Sequence, residues 1–454
     1  MARQQREFLP STNTEEEATT PSLFQGAYSP LTLWAAAAFA VILGFSRLSY
    51  GLVLPALRAD LHGSYGVFGL VSSANLGGYL LGMLLVPALL KHTHDRVRLI
   101  TFALLVLSVT LIASALSVSL IDLALWRLLI GVSSAVATVL TITLTLERVQ
   151  PAERGRASGV LWMGGAAGLV VSGILAPLVI GTGVPAAWRL LWVGMGLVGL
   201  IATWGVRRSL RADTPRPPLR RLMPRKSRAG SNLRGPEDQA EPRSGRKDAG
   251  PSGTLGWRSD LLALLQPDRL LALTLSYFAA AFAYIIYFTF VIALLIHQGL
   301  PPLLAGLTWS IAGLGGVIGS LFWGWAVDRR PSGFVLAIAL VLGAMGAVTT
   351  LTGQLLIETV GAFLIGMGSF GAPTIVTALL KRAVPGAGYA TSLSLLTAIF
   401  SIGQMIGPIV AGVIVDTHGL APGTASAALM FACAALLAMG YGIHQFRDAS
   451  SGAI

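Results

Sequence analysis

Charge is scarce in this chain. Asp, Glu, Lys and Arg make up 11% of its 454 residues, where an ordinary soluble domain carries about a quarter, and the mean hydropathy of +0.72 agrees. Such a composition excludes a water-soluble globule. Cysteine is nearly absent too: Cys433 is the only one, so no intrachain disulfide can form and nothing suggests a redox or metal site. Cys433 lies in the last apolar segment, where it is expected to pack against lipid or a neighbouring helix. The sequence also lacks the signatures of an enzyme or a pump. It has no His-Glu-x-x-His, no paired aspartates, no Gly-x-Ser-x-Gly, and no Gly-x-x-x-x-Gly-Lys-Ser/Thr phosphate loop. No catalytic residue, metal or cofactor is expected, and an ATP-driven pump is disfavoured.

Long apolar runs fill the space left by charge. A hydrocarbon core about 30 Å thick takes about 20 apolar residues per helix, and twelve such segments occur, near 31–57, 65–90, 97–119, 121–147, 157–182, 186–206, 269–296, 303–327, 333–353, 357–380, 389–415 and 422–444. All are read as helices, because an open sheet edge cannot be satisfied in lipid. The fold class is therefore all-α integral membrane, with 12 transmembrane helices.

The net charge of +12 is a matter of location. With the N-terminus placed in the cytosol, 28 of the 32 Lys and Arg fall on the cytosolic side, leaving only Arg58 and Arg189 outside and Arg47 and Arg127 within helices. That asymmetry is the positive-inside rule, and it predicts a multi-pass protein of the cell membrane with both termini cytosolic. Residues 1–30 carry Glu15, Glu16 and Glu17 and no basic stretch leading into a short apolar run, and are read as a disordered cytosolic tail. Residues 446–454 form a second tail.

Between the sixth and seventh helices the composition changes. Residues 207–258 hold 14 basic and 5 acidic side chains among many Pro, Gly and Ser. So little apolar area cannot offset the entropy of ordering, and the stretch 208–267 is read as a mobile cytosolic linker drawn to anionic lipid headgroups. No aromatic residues interleave the arginines, so a nucleic-acid partner is not expected. The linker leaves a bundle of six helices over 31–207 and another over 268–445. Four landmarks repeat between them at nearly one spacing: Asp95 with Asp328, Gly131 with Gly366, Pro151 with Pro385, and Gly173 with Gly407. A duplicated bundle follows, in the architecture of secondary transporters built from two parallel halves around a midplane site.

Motifs at the helix ends add a resemblance. GWAVDRR at 324–330 resembles the cytosolic loop motif of the major facilitator superfamily, WRLLIGVSSA at 126–135 resembles its fourth-helix Arg-x-x-x-Gly-x-x-x-Ala pattern, and PAERGRASG at 151–159 its entry into the fifth helix. The resemblance covers about residues 31–445. More narrowly, GFSRLSYGLVLP at 44–55 and SSANLGGYLLG at 72–82 are similar to the first two helices of YbfB/YjiJ-type members. The chain departs from the pattern in KHTHDRVRL at 91–99, which keeps Asp95 and Arg96 without the preceding glycine spacing, and in GGAAGLVVSG at 164–173, which lacks the Gly-Pro of drug/proton antiporters.

The resemblance implies a transporter that rocks between two states, with helix-end contacts made in one and broken in the other. It places Asp328, beside Arg329 and Arg330, near the start of the fifth helix, where free N–H groups and the positive dipole end favour a carboxylate and Arg154 or Arg156 adds a charge. It places Asp95, next to Arg96, against the eleventh helix near 386–391. The same charges also suit a merely topogenic role at the interface.

Ionisable residues inside a span are costly and read as functional by default. Arg47 lies just past the middle of the first helix and Arg127 in the outer third of the fourth. In the superfamily architecture the first, fourth, seventh and tenth helices line the cavity, and two guanidiniums with no midplane carboxylate suggest an anionic cargo. Either arginine would serve structure instead by bonding backbone carbonyls. On the opposite half, Tyr277, Tyr284 and Tyr287 share one face of the seventh helix. Tyr284 and Tyr287 are candidates to orient a ligand, while Tyr277 sits where interface anchors do. Asn75, Tyr79, Gln404 and Ser401 are further candidates. The acids nearest the spans, Asp122, Glu147, Glu358 and Asp416, all sit at helix ends, so no buried carboxylate is expected; His62, His297 and His418 are read as loop residues. The sequence thus reads as a monomeric secondary transporter of a small organic, anionic solute. The alternative is a membrane sensor or scaffold of the same fold that transports nothing.

Overall fold

The computed structural model describes residues 26–93, 95–212, 262, 264–266, 270–330, 332–384 and 388–451. These form twelve long helices: α1 (Pro30–Leu61), α2 (Tyr65–His92), α3 (Arg96–Ser114), α4 (Leu120–Arg148), α5 (Arg154–Ile180), α6 (Trp188–Ala212), α7 (Leu271–His297), α8 (Pro302–Arg329), α9 (Gly333–Thr349), α10 (Leu355–Ala383), α11 (Gly388–His418) and α12 (Leu420–Ser451). Among the described residues, eleven helices are long and apolar enough to cross a membrane; α9, with 17 residues, is the short one. The chain marks the helix starts with small polar caps. Ser64, Asp95, Ser119 and Ser332 each accept a backbone N–H of the first turn they precede, supplying a partner that lipid cannot.

Two helices outrun their apolar segments. α6 continues through RRSLRA to Ala212 and α12 through HQFRDAS to Ser451, because good helix formers extend the backbone pattern after the hydrophobic run has stopped. The linker at 208–267, the tail at 1–30 and Pro385 lie largely or wholly outside the described residues.

Packing repeats between the halves. In the first, α2 packs on α4, α3 on α6 and α4, and α1 on α5; in the second, α8 packs on α10, α9 on α12 and α10, and α7 on α11. Each pair in one half has its counterpart six helices later, so the two bundles are pseudo-symmetric. Three further pairs join them: α1 with α7, α2 with α11, and α5 with α8.

The junction is asymmetric along the helix axes. At the end remote from the chain termini, called here the far end, Asp416 of α11 accepts the N–H groups of Tyr65 and Gly66 of α2 at 2.8 and 2.7 Å, and Ser310 Oγ of α8 donates to the Val170 carbonyl of α5 at 2.9 Å. Between them Gly51 of α1 presses on Phe288 of α7 so closely that a Cβ would overlap the Phe288 carbonyl oxygen. The close backbone contacts between the bundles, such as Gly66 on Gly412, Gly69 on Pro408 and Gly173 on Gly306, lie toward the far end, whereas at the terminal end a Cβ on Gly155 or Gly159 of α5 would meet nothing within 4 Å. The bundles therefore lean together at the far end and open at the other.

Candidate functional site

The first helix is not uniformly α. Residues Ala40–Leu48 form a π-helical stretch with Arg47 in its last turn. Such wide turns concentrate at functional sites because they displace side chains from the α register. Arg47 is half-buried, its guanidinium 3.9 Å from the centroid of the Tyr79 ring on α2, and its buried Nε has no hydrogen-bond partner among the described residues. Tyr284 of α7, in the opposite bundle, lies within electrostatic reach of both Arg47 and Tyr79.

Arg127 is placed differently. Only 1% exposed, it donates from Nη1 to the Ser46 carbonyl at 2.6 Å and lies 4.7 Å from the Tyr50 ring centroid. Asn75 Nδ2 in turn donates to the Arg127 carbonyl at 3.0 Å. These contacts knit α1, α2 and α4 together, yet Arg127 Nε and Asn75 Oδ1 remain buried and unpartnered among the described residues. The chain thus brings Arg47, Arg127, Asn75, Tyr79 and Tyr284 into one neighbourhood, two of them cations, with unused hydrogen-bonding atoms and no carboxylate among them.

The second half supplies an aromatic wall. Tyr284 meets Phe370 edge-on at 6.3 Å, Tyr287 and Trp309 flank Phe288 at 5.4 and 5.2 Å, and Tyr277 stacks on Phe400 at 4.3 Å. Offset and edge-to-face rings of this kind pack rigidly. Tyr287 is turned into that cluster, and Gln404, though buried in α11, makes no hydrogen bond to either arginine among the described residues. Tyr50, Phe370 and Trp309 are members of this site that the sequence did not single out, since nothing distinguishes them from other buried aromatics until the helices are placed.

The residues singled out for gating lie apart from one another. Asp328 and Arg330 are exposed without an ion pair among the described residues, and Arg329 lies 4.1 Å from the ring centroid of Trp325. Asp95 caps α3 through the Arg98 N–H at 2.9 Å, Arg96 forms a bidentate pair with Glu147 at 2.8 and 2.9 Å, and Arg154 Nε donates to the Val149 carbonyl at 3.4 Å. Arg156 comes within 4.0 Å of Glu153. All these contacts are local to one bundle, as the open terminal end requires.

Two acids depart from their description as mere helix-end residues. Asp416 is the clasp of the far end. Glu358, in the first turn of α10, is 0% exposed, with the Gly353 backbone near its carboxylate but no well-formed hydrogen bond among the described residues, because that turn is packed on the end of α9, where Gly361 meets Thr349. A helix-end position gave no sign of this burial.

Comparison with known proteins bears on this arrangement. A family model described as Major Facilitator Superfamily matches residues 35–390 and 273–448. The chain is 25% identical over 389 residues to the gallate transporter of Pseudomonas putida, covering 82% of each chain. It is 27% identical over 421 residues to the chloramphenicol resistance protein of Streptomyces lividans, covering 90% of this chain and 95% of that one. Among solved structures, the nucleoside transporter NupG superposes with a TM-score of 0.67 at 13% identity, covering 91% of this chain and 98% of the other.

Proposed function

Because the chain belongs to the Major Facilitator Superfamily, and is a secondary transporter of a small organic solute working by alternating access, we propose that its cargo is an aromatic carboxylate held between Arg47 and the aromatic wall of α7. The observation that carries this reading is the state of Arg47: a half-buried guanidinium inside a membrane-spanning helix, laid on the Tyr79 ring, with its buried Nε unpartnered among the described residues. A planar carboxylate matches that fork of donors, and an aromatic body suits the ring-lined wall. Gallate, which the Pseudomonas relative is named for, has both parts. Arg127 and Asn75 hold the floor of the site, with Gln404 and Tyr287 at its margin.

The excess of Lys and Arg at the terminal end makes that end cytosolic by the positive-inside rule, so the cell membrane holds the protein with both termini inside. The structure then represents the inward-open state. In the outward-open state Asp328 seats at the first turn of α5 beside Arg154 and Arg156, and Asp95 at the start of α11, with Arg96, Arg329 and Arg330 at their sides. The basic stretch at 208–267 separates two six-helix units and lies on anionic headgroups, and one chain suffices for transport. Membership of the YbfB/YjiJ-type branch rests on residues 44–55 and 72–82.

Uptake of labelled gallate into proteoliposomes tests the cargo. Arg47→Gln is expected to cut it at least about tenfold, the worth of one charge-assisted pair, while the protein elutes and melts as before. Unchanged uptake removes Arg47 from the site.

A further inference from the structure

Two arginines of α1 each lie on a tyrosine of α2. Arg47 stands 3.9 Å from the centroid of Tyr79, and Arg58 stands 4.2 Å from the centroid of Tyr65. The step from 47 to 58 is about three helical turns, roughly 16 Å, so the second pair stands above the first on nearly the same side of α1. Midway between them is the tight contact of Gly51 with Phe288. Along α7 the order repeats, with Tyr284 below, Phe288 at the seal and His297 above.

A cleft of about 450 Å³ opens directly over that seal, lined by Arg58, His62 and His297, by the ring of Tyr65, and by the apolar surfaces of Pro55, Ala293 and Ile296. It is open to the far face rather than enclosed, and its volume falls in the range of small-ligand sites. Arg58 is held by donation from Nε to the Gly63 carbonyl at 3.1 Å and from Nη1 to the Tyr65 hydroxyl at 3.4 Å, and has no ion pair among the described residues. The His62 N–H donates to the Arg58 carbonyl at 3.2 Å, and His62 adopts φ +45°, which sets the turn at the rim of the cleft. Among the described residues no carboxylate lines the cleft; the two acids nearby in the fold are engaged elsewhere, Asp416 by the Tyr65 N–H and Asp60 by Trp188 Nε1 and Arg189 Nη2.

We infer that this cleft is a second binding site for a small aromatic carboxylate, stacked above the central one and separated from it by the closed α1–α7 contact. The carboxylate pairs with the free edge of Arg58 beside the two imidazoles, and the ring lies against Tyr65 and Ile296. The cleft repeats the arginine-on-tyrosine chemistry of the central site, on whose proposed cargo class the choice of ligand rests. It loads a molecule at the far face while the seal below it is shut, and parting of Gly51 from Phe288 opens the way to Arg47.

Equilibrium dialysis of labelled gallate against the purified full chain tests this. Arg47→Gln protein is expected to retain one weak site, and adding Arg58→Gln, or Ala59→Trp at the exposed rim of the cleft, is expected to weaken that site about tenfold. Arg58→Lys, which keeps the cation, is expected to restore part of it. If Arg47→Gln protein binds no gallate, or if neither cleft variant alters what it binds, the second site is overturned while the central one stands. If Arg47→Gln binds as wild type and Arg58→Gln alone abolishes binding, the cleft is supported and the central reading falls. Absence of binding by the wild-type chain overturns both.

Discussion

The carboxylate of Asp416 accepts two backbone N–H groups of the opposite bundle, those of Tyr65 and Gly66, at 2.8 and 2.7 Å. It thereby supplies partners to the first turn of α2, where the N–H groups have none within the helix and the dipole favours a negative charge. Asp416→Asn keeps the shape and removes the charge. Charge-assisted bonds contribute about 1.5–3 kcal/mol, so the equilibrium is expected to move roughly tenfold toward a far-end-open state. Spin labels at Thr182→Cys and Thr352→Cys, in a Cys433→Ser background, read this as a longer distance component; an unchanged distribution means the clasp does not set the balance.

Gly51 makes a sharper prediction. Because its Cβ position coincides with the Phe288 carbonyl, Gly51→Ala is expected to keep α1 helical yet hold the far end open, abolishing exchange across proteoliposomes while thermal stability is retained. The same label pair should report only the long distance.

Gly159 tests the other state. It faces open space here, so Gly159→Leu is expected to leave the present conformation intact and to block closure of the terminal end. Flux then falls while the far-end distance stays short. Normal flux would show that α5 and α8 do not close upon one another near this position.

Asp328→Asn removes the charge proposed to seat on α5. It loses no contact in the present state, so stability in detergent is expected to hold while turnover drops and the populations shift toward the terminal-end-open form. Normal turnover with normal populations would leave Asp328 as a topogenic charge.

The two central arginines separate by phenotype. Nε is unpartnered in both, but Arg47 makes no hydrogen bond among the described residues, whereas Arg127 donates from Nη1 to the Ser46 carbonyl at 2.6 Å. Arg127→Gln is expected to lower Tm by about 2–5 °C as well as impair uptake, and Arg47→Gln to impair uptake alone. Equal melting shifts for both would contradict the division between them.

Much of this was legible in the sequence because lipid leaves few choices. Apolar runs of helical length, charges at their ends and landmarks repeated between halves dictate twelve helices in two bundles. Arg47 and Arg127 stood out because charge inside a span is costly. What stayed hidden depends on register. The π-helical turn at Ala40–Leu48 leaves no mark in composition, and it sets the direction of Arg47. Asp416 and Glu358 both read as helix-end acids, and only packing shows that one clasps α2 while the other is fully buried. The signal available for Asp416 was the one used for Asp328, an acid at a helix end in a chain whose halves repeat, applied to the opposite face.

The brevity of α9 has a consequence for the surrounding lipid. Its 17 residues rise only about 26 Å, short of a hydrocarbon layer of about 30 Å, and a short span draws the adjacent leaflets inward at a cost of fractions of a kcal/mol per ångström of mismatch. Bilayer thickness therefore acts on the rim of the second bundle as a mechanical load, and turnover should vary with acyl-chain length even where no lipid headgroup is recognised.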